Sequence, residues 1–172
     1  MKLIESKTLG TAQAAIEFTS IPATYTDLCI VGSFRFARSA TDTTVKMEFN
    51  TITTGYSNRN LLGTGSGVAS QAPAYIGWQN ANTSTANTFG SFSIYIPNYS
   101  GSTNKSYSVE MVQEDNATGA LAAITAGLWS NSAAISSVKF FDEATASNLL
   151  VGSTVSLYGI LKGSDGIVTT SP

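Results

Sequence analysis

Residues 127–160, GLWSNSAAISSVKFFDEATASNLLVGSTVSLYGI, decide the fold class of this chain. Val138 and Phe140 alternate with Ser137, Lys139 and Phe141, and the end of the stretch repeats that pattern. Alternation with a period of two places one set of side chains on each face of a β-strand. We therefore read three strands here, separated by a hairpin-length segment of small residues at 130–134 and a longer loop at 142–152.

The same alternation recurs along the rest of the chain. The clearest case is Leu28–Arg38, in which four apolar side chains share one face, so this strand is expected centrally in a sheet. Residues 89–99 and 105–114 predict a long hairpin. Further strands are expected at Lys2–Leu9 as an edge strand, Ala14–Ile21 and Val45–Phe49. Tyr56–Ala86 is expected to be a largely irregular segment that contains one or two short strands. Long irregular segments between strands often contain binding or catalytic residues.

These strands predict the architecture of the domain. Roughly ten strands at short spacings, with essentially no helix, favour an all-β fold with two antiparallel sheets, a jelly-roll-like β-sandwich. Residues 143–149 are the one place where a helical turn is expected. The 172 residues fit a single domain at 1–162, followed by a polar tail at 163–172.

The composition indicates a neutral surface. Charged residues make up 12% of the chain, about half of the ~25% usual in soluble domains, so Ser, Thr, Asn and Gln must cover the exterior. Hydroxyls and amides cost less to desolvate than charges, which suits contact with protein or carbohydrate. The alternative is that Ser and Thr simply suit solvent-facing strand positions.

Several function classes are not expected. The chain has no histidine, which removes Ser-His and Cys-His nucleophile pairs and the usual zinc sites. With a net charge of −2 and scattered Lys and Arg, the chain has no basic patch of the kind that binds nucleic acid. No signal peptide or long apolar run is visible, so neither export nor membrane insertion is expected. Cys29, the single cysteine, is expected to be a buried strand residue.

Carboxylates offer only weak candidates for chemistry. A glycosidase-like pair would have to come from a small set of acidic residues at strand ends, where carboxylates are ordinarily solvated, so we expect no enzyme and no cofactor. Calcium would need oxygen ligands that are too sparse here to form a dense cluster. The acidic candidates are Glu110, Glu114, Asp115, Asp142 and Glu143, and the calcium candidates are Asp42, Asp115 and Asn116.

Aromatic side chains are the stronger candidates for binding. Tyr75, Trp78, Tyr95 and Tyr99 lie in or beside loops or on the polar side of strands, where rings can stack on sugars or anchor a protein interface. For Trp78 and Tyr99, filling a gap between the sheets is an equal alternative. Trp129 is expected to fill such a gap.

Four short motifs resemble the small virion proteins of tailed bacteriophages, particularly those that infect cyanobacteria and other aquatic hosts. The motifs are Phe18–Leu28, Ile96–Tyr99, the Gly127–Trp129 and Ala134–Ile135 strand pair, and Gly152–Ile160. The resemblance implies a β-sandwich or jelly-roll subunit displayed on the particle, without catalytic residues.

Two functional hypotheses follow from the resemblance and the neutral surface. The first is a capsid decoration (cement) protein, trimeric by analogy, that stabilises the shell by binding between subunits of the major capsid protein. The second is a carbohydrate- or host-binding module of a head or tail fibre. Both place the chain in the virion, on the capsid surface or in a fibre, after synthesis in the host cytoplasm.

Overall fold

The computed structural model of the chain describes residues 1–116 and 119–161, and these residues form twelve β-strands and no helix. The strands are β1 (Lys2–Thr8), β2 (Ala15–Phe18), β3 (Asp27–Phe34), β4 (Asp42–Phe49), β5 (Tyr56–Gly63), β6 (Val68–Gln71), β7 (Gly77–Asn80), β8 (Gly90–Ile96), β9 (Lys105–Glu114), β10 (Ala120–Trp129), β11 (Val138–Asp142) and β12 (Thr154–Ile160). They pair antiparallel in sheets of eight and four strands. The predicted all-β class with two antiparallel sheets is confirmed, while the predicted tail at 163–172 lies outside the described residues.

Eight of the strands form a jelly roll. The large sheet contains the order β1-β12-β3-β8, and the small sheet has the order β2-β11-β4-β7. Along the chain, the first of these eight strands pairs with the last, the second with the seventh, the third with the sixth and the fourth with the fifth. A long antiparallel ribbon that winds into two packed sheets has this pairing, so the jelly-roll prediction is confirmed.

Four further strands, which we call the extension, continue the large sheet beyond β8 in the order β9-β10-β5-β6. The β5–β6 hairpin is inserted between β4 and β7, and the β9–β10 hairpin is inserted between β8 and β11. The two insertions are distant in sequence, yet β5 pairs with β10 along the whole length of β5. The segment 56–86, expected to hold one or two strands, therefore holds three.

The core lies between the two sheets and is rich in aromatic rings. Phe34 contacts the rings of Phe36, Phe92 and Phe140, with centroid distances of 4.6 to 6.1 Å. Phe34 and Phe36 are fully buried, together with Leu28 and Ile30, which confirms the predicted apolar face of β3 and its interior place in the sheet. Trp129 also fills the core as predicted, 5.4 Å from the ring of Phe49.

Three local predictions are wrong. The segment 130–134 is not a hairpin turn, because β10 pairs with β5 and β9 whereas β11 pairs with β2 and β4, so the chain crosses here from one sheet to the other. Residues 143–145 form a turn rather than a helical segment. Cys29 is only half-buried, since it lies on the outer face of β3, opposite to the inward face.

Candidate functional site

The outer face of the extension carries five of the exposed large hydrophobic side chains of the described residues. One row across it runs from Glu110 of β9 through Ile124 of β10 and Leu61 of β5 to Ser70 of β6. Ile124 is 59% exposed and Leu61 is 58% exposed, and Val68 of the adjacent row is 84% exposed. Contiguous exposed apolar side chains of this kind mark surfaces that other molecules cover.

These side chains line a shallow groove. Its volume is ≈ 630 Å³, and its walls come from β9, β10, β5 and β6. We call this surface the apolar face and define it by five exposed residues: Leu61, Val68, Val112, Ile124 and Leu128. The groove lies against a flat sheet and is open to solvent, so it fits an extended surface better than a small molecule.

The inner face of the extension is unusually polar. Asn58, Asn60 and Thr125 are all buried there. The Thr125 hydroxyl donates to the carbonyl of Ile76 at 2.8 Å, but the side-chain amide of Asn60 has no hydrogen-bond partner among the described residues. The extension therefore buries several polar groups among the apolar core residues of its inner face, and it exposes apolar side chains on its outer face.

A tyrosine ties three strands of the extension together. The ring of Tyr107 on β9 lies across Gly127 of β10, where a β-carbon would overlap the ring. Its hydroxyl donates to Oδ1 of Asn58 on β5 at 2.7 Å. Burial raises the pKa of Tyr107. The glycine is needed at this position because the ring occupies the space of a side chain.

Two opposite charges flank the apolar face. Glu110 is on β9 and Arg59 is on β5, so β10 lies between them. Glu110 accepts a long hydrogen bond from Ser93 Oγ at 3.4 Å, and Arg59 Nη1 donates to the carbonyl of Asn58 at 3.0 Å. Neither side chain forms an ion pair within the described part of the chain. Both remain exposed and available to a partner.

Two of the four aromatic residues that were predicted to contact a partner, Tyr75 and Trp78, lie beside each other. Trp78 lies on β7, an edge strand of the small sheet, opposite Thr44 on the outer face. The Tyr75 ring packs edge-to-face against it, with centroids 4.8 Å apart, and the Tyr75 hydroxyl accepts from Gln71 Nε2 at 3.1 Å. Burial is the main cause of the raised pKa of Tyr75. Both rings are half-buried, so part of each remains accessible.

The other two aromatic candidates lie elsewhere. Tyr95 is exposed on the outer face of β8, and its hydroxyl donates to Asp27 Oδ2 at 2.9 Å, a hydrogen bond that raises the pKa of the tyrosine. Tyr99 is fully buried, with its hydroxyl bonded to the carbonyl of Pro22. The prediction that Tyr99 contacts a partner is therefore wrong, and the gap-filling alternative holds for it.

The acidic candidates do not assemble into a site. Asp142 is buried and accepts hydrogen bonds from Thr43 Oγ1 at 2.6 Å, Thr145 Oγ1 at 2.7 Å and the backbone N–H of Ser147 at 2.9 Å. Burial alone would raise the pKa of Asp142, but these hydrogen bonds outweigh it and lower the pKa to about 2. Asp142 thus holds the turn after β11. Within residues 1–116 and 119–161, no three acidic or cysteine side chains cluster as metal ligands would.

No protein-family model matches the chain, and neither a curated protein nor a solved structure matches it. The resemblance to phage virion proteins therefore stays a prediction. In the described residues, no helix is long and apolar enough to span a bilayer. The exposed surfaces of the fold are therefore the features that indicate a function.

Sequence analysis did not identify the apolar face. The relevant signal is the pair Leu61-Leu62, in which adjacent apolar residues of one strand must point to opposite faces. The alternation shows that one of them is exposed but not which one. Only the pairing of β5 with β10 settles this, because it places Leu61 beside Ile124 on the outer side.

Proposed function

We propose that this chain is a structural protein of a tailed-phage virion, and in particular a capsid decoration protein that binds between subunits of the shell. The jelly roll supports the proposal, since viral capsid proteins use this architecture, although lectins and cupins use it too. The low content of charged residues supports it as well, because neutral surfaces are cheaper to desolvate in a protein contact.

The observation that carries the proposal is the apolar face of the extension. Leu61, Val68 and Ile124 are each more than half exposed, and they adjoin one another on a flat sheet. A face of this shape suits contact with another folded protein. A protein that binds only the assembled shell stabilises it by mass action, which is how a decoration protein acts.

Addition of the purified chain to phage particles tests the proposal. Particles of the phage that encodes the chain are stripped of loosely held outer proteins, incubated with the recombinant chain and sedimented again. We expect saturable binding at a fixed ratio to the major capsid protein and a higher temperature of shell disruption. Ile124→Asp should abolish the addition, and Trp78→Ala should leave it unchanged. Failure of the unmodified chain to bind would contradict the decoration role.

The Tyr75–Trp78 pair favours a second candidate, a glycan-binding module of a fibre. The two rings meet at 70° and remain partly exposed at the edge of the small sheet, where the face of one ring can stack on a sugar. This candidate uses a surface distinct from the apolar face, because Trp78 belongs to the other sheet.

A glycan array with matched variants tests this candidate. Trp78→Ala should abolish any glycan signal, because it removes the stacking surface. Tyr95→Ala is the control, since Tyr95 is an exposed aromatic residue on the other sheet. A signal that survives Trp78→Ala, or the absence of any signal with the unmodified chain, would count against glycan binding through this pair.

A further inference from the structure

We propose that a second copy of this chain covers the apolar face, in a two-fold contact centred on Ile124 of β10. The inference rests on the proposed function only in that both assign this face to protein contact: the second copy covers the face in solution, and the shell takes its place on the particle. It goes further by naming the partner and the symmetry. Three features carry it: the register of the extension, the two charges beside the face, and the size of the face.

The register places β9 and β5 on either side of β10. Ile124 lies between Glu110 on β9 and Leu61 on β5, and the next row places Ala126 between Ser108 and Arg59. A two-fold axis that runs over β10, roughly along the strand, exchanges β9 of one copy with β5 of the other. Ile124 then packs on its own symmetry mate, as isologous interfaces require.

The same axis brings opposite charges together. Glu110 of each copy faces β5 of the other copy near Leu61, and Arg59 lies two residues from Leu61 on the same face. The long arginine side chain spans that offset. The two-fold symmetry forms this pair of Glu110 with Arg59 twice in each dimer. Glu114, the other acidic residue on this face of β9, already accepts from the backbone N–H of Asn116.

A self-complementary pair of this kind argues for a second copy rather than an unrelated protein. An unrelated partner would need an arginine and a carboxylate in mirrored positions on its own surface, whereas a second copy provides them by symmetry. The small side chains Ala122 and Ala126 flank Ile124 on β10 and leave room for the facing sheet to approach. Two such faces pack about 10 Å apart.

The size of the face sets the expected affinity. Three strands, β9, β10 and β5, face their symmetry mates, and at ~4.8 Å spacing and about eight residues in length they give a footprint of roughly 400 Å² per copy. This is below the ~800 Å² per partner of a standard interface, so we expect a dimer with a dissociation constant in the micromolar range, about 1–100 µM. If the trimer implied by the phage resemblance also forms, the two contacts combine into a hexamer with 32 symmetry.

Charge-reversal variants of the purified chain test the contact. Light scattering or sedimentation is measured from about 1 µM to about 500 µM, a range that brackets the expected dissociation constant. The unmodified chain should reach about two or six times 17.9 kDa. Glu110→Arg and Arg59→Glu should each weaken the two-fold contact by about tenfold or more, because each creates two like-charge pairs. Both positions are exposed, so the fold should be retained, as circular dichroism can verify.

Mixing the two variants gives the decisive result. In a mixed dimer of Glu110→Arg with Arg59→Glu, the two substituted positions face each other with their charges exchanged, and the second pair keeps its natural charges. An equimolar mixture should therefore associate within about threefold of the unmodified chain, although neither variant associates alone. Glu143→Arg makes the same charge change at an exposed site outside the extension and should leave association unchanged.

Other outcomes would overturn the inference. A mass that stays at one or three times 17.9 kDa excludes the two-fold contact. Association that survives both single variants would place the second copy elsewhere, for instance at the free edge of β6. Because these measurements use no phage particles, they fail or succeed independently of the particle-addition experiment.

Discussion

The inner face of the extension is more polar than that of the eight jelly-roll strands, and its outer face is more apolar. Between the two sheets of the jelly roll, the inward residues are phenylalanine, isoleucine and leucine, and the outer face of β8 presents Ser91 and Ser93. In the extension, Asn58, Asn60 and Thr125 point inward beside apolar core residues, while further leucine, isoleucine and valine side chains are exposed on the outer face. The two regions share one continuous sheet, so the difference cannot come from the sheet itself.

What covers each inner face explains the difference. The jelly-roll part of the large sheet is covered by the small sheet, whose side chains are apolar. The extension is covered partly by the segment that precedes β7, where the carbonyls of Pro73 and Ile76 accept hydrogen bonds from Asn58 and Thr125. Irregular backbone presents polar groups that need partners when buried, so the strands beneath it carry polar side chains. Nothing within residues 1–116 and 119–161 covers the apolar outer face in the same way.

The largest effect is expected from a truncation in the jelly-roll core. Phe34→Ala removes a ring that contacts Phe92 and Phe140 between the sheets, and it should lower the free energy of unfolding by about 3–5 kcal/mol. Leu61→Ala on the apolar face is the matched control and should change stability by less than about 0.5 kcal/mol in dilute solution. Denaturant titration measures both. A cost above about 2 kcal/mol for Leu61→Ala would mean that the face is covered within a single chain.

A smaller effect, confined to the extension, is expected from Gly127→Ala. The new methyl group would overlap the Tyr107 ring and displace its hydroxyl from Asn58, at a cost of about 1–3 kcal/mol. Amide exchange should accelerate in β5 and β10 more than in β3. Gly63→Ala, where nothing lies near the added methyl, is the control and should leave exchange unchanged. Equal acceleration in both regions would show that the extension does not unfold separately.

Acid should destabilise the jelly-roll region through Asp142. Its pKa is about 2 in the folded protein against an ordinary 3.8, so its stabilising effect is complete above about pH 5 and is lost as the pH falls towards 2. Asp142→Asn should cost about 1–3 kcal/mol at neutral pH and flatten the loss of stability between about pH 4 and 2. Thermal unfolding across this pH range measures the effect, with the exposed Glu143→Gln as control. An unchanged acid profile in Asp142→Asn would assign acid sensitivity to other carboxylates.

The smallest effect is expected from Asn60→Leu. Leucine has the same branching as asparagine and removes two buried polar atoms without a partner among the described residues, so stability should rise by about 1 kcal/mol. Asn58→Leu on the same strand should destabilise instead, because it breaks the bonds to Tyr107 and Pro73. Denaturant midpoints compare the two. If Asn60→Leu destabilises the chain, the inner face of the extension holds water that bonds to Asn60.

The all-β class with two antiparallel sheets was predictable from the sequence, but the order of the strands, and with it the extension, was not. Alternation in residues such as Leu28, Ile30 and Phe34 reports which residues share a face, and strand spacing reports the class of fold. Neither reports which strands are neighbours. Residues 130–134 have the length of a hairpin loop but join strands of different sheets, and β5 finds its partner β10 more than fifty residues away.

The candidate surfaces were predictable only in part. Tyr95 is exposed and Trp78 is partly exposed, as expected of rings that could contact a partner, because aromatic residues on the polar side of a strand face outward. Tyr99 does not, since it lies beyond the end of β8, where the chain turns and alternation no longer fixes a direction. The apolar face depends on long-range pairing, which a single sequence does not contain.

The pairing of β1 with β12 has a practical consequence for display on a surface. Lys2 lies opposite Gly159, so both ends of the described fold meet at one edge of the large sheet, and β6 forms the other edge. Seven strand spacings of ~4.8 Å separate the two edges, roughly 34 Å. A fluorescent protein or an enzyme fused before β1 would therefore be attached at the edge of the sheet farthest from β6, so cargo could be displayed on this chain without blocking the apolar face.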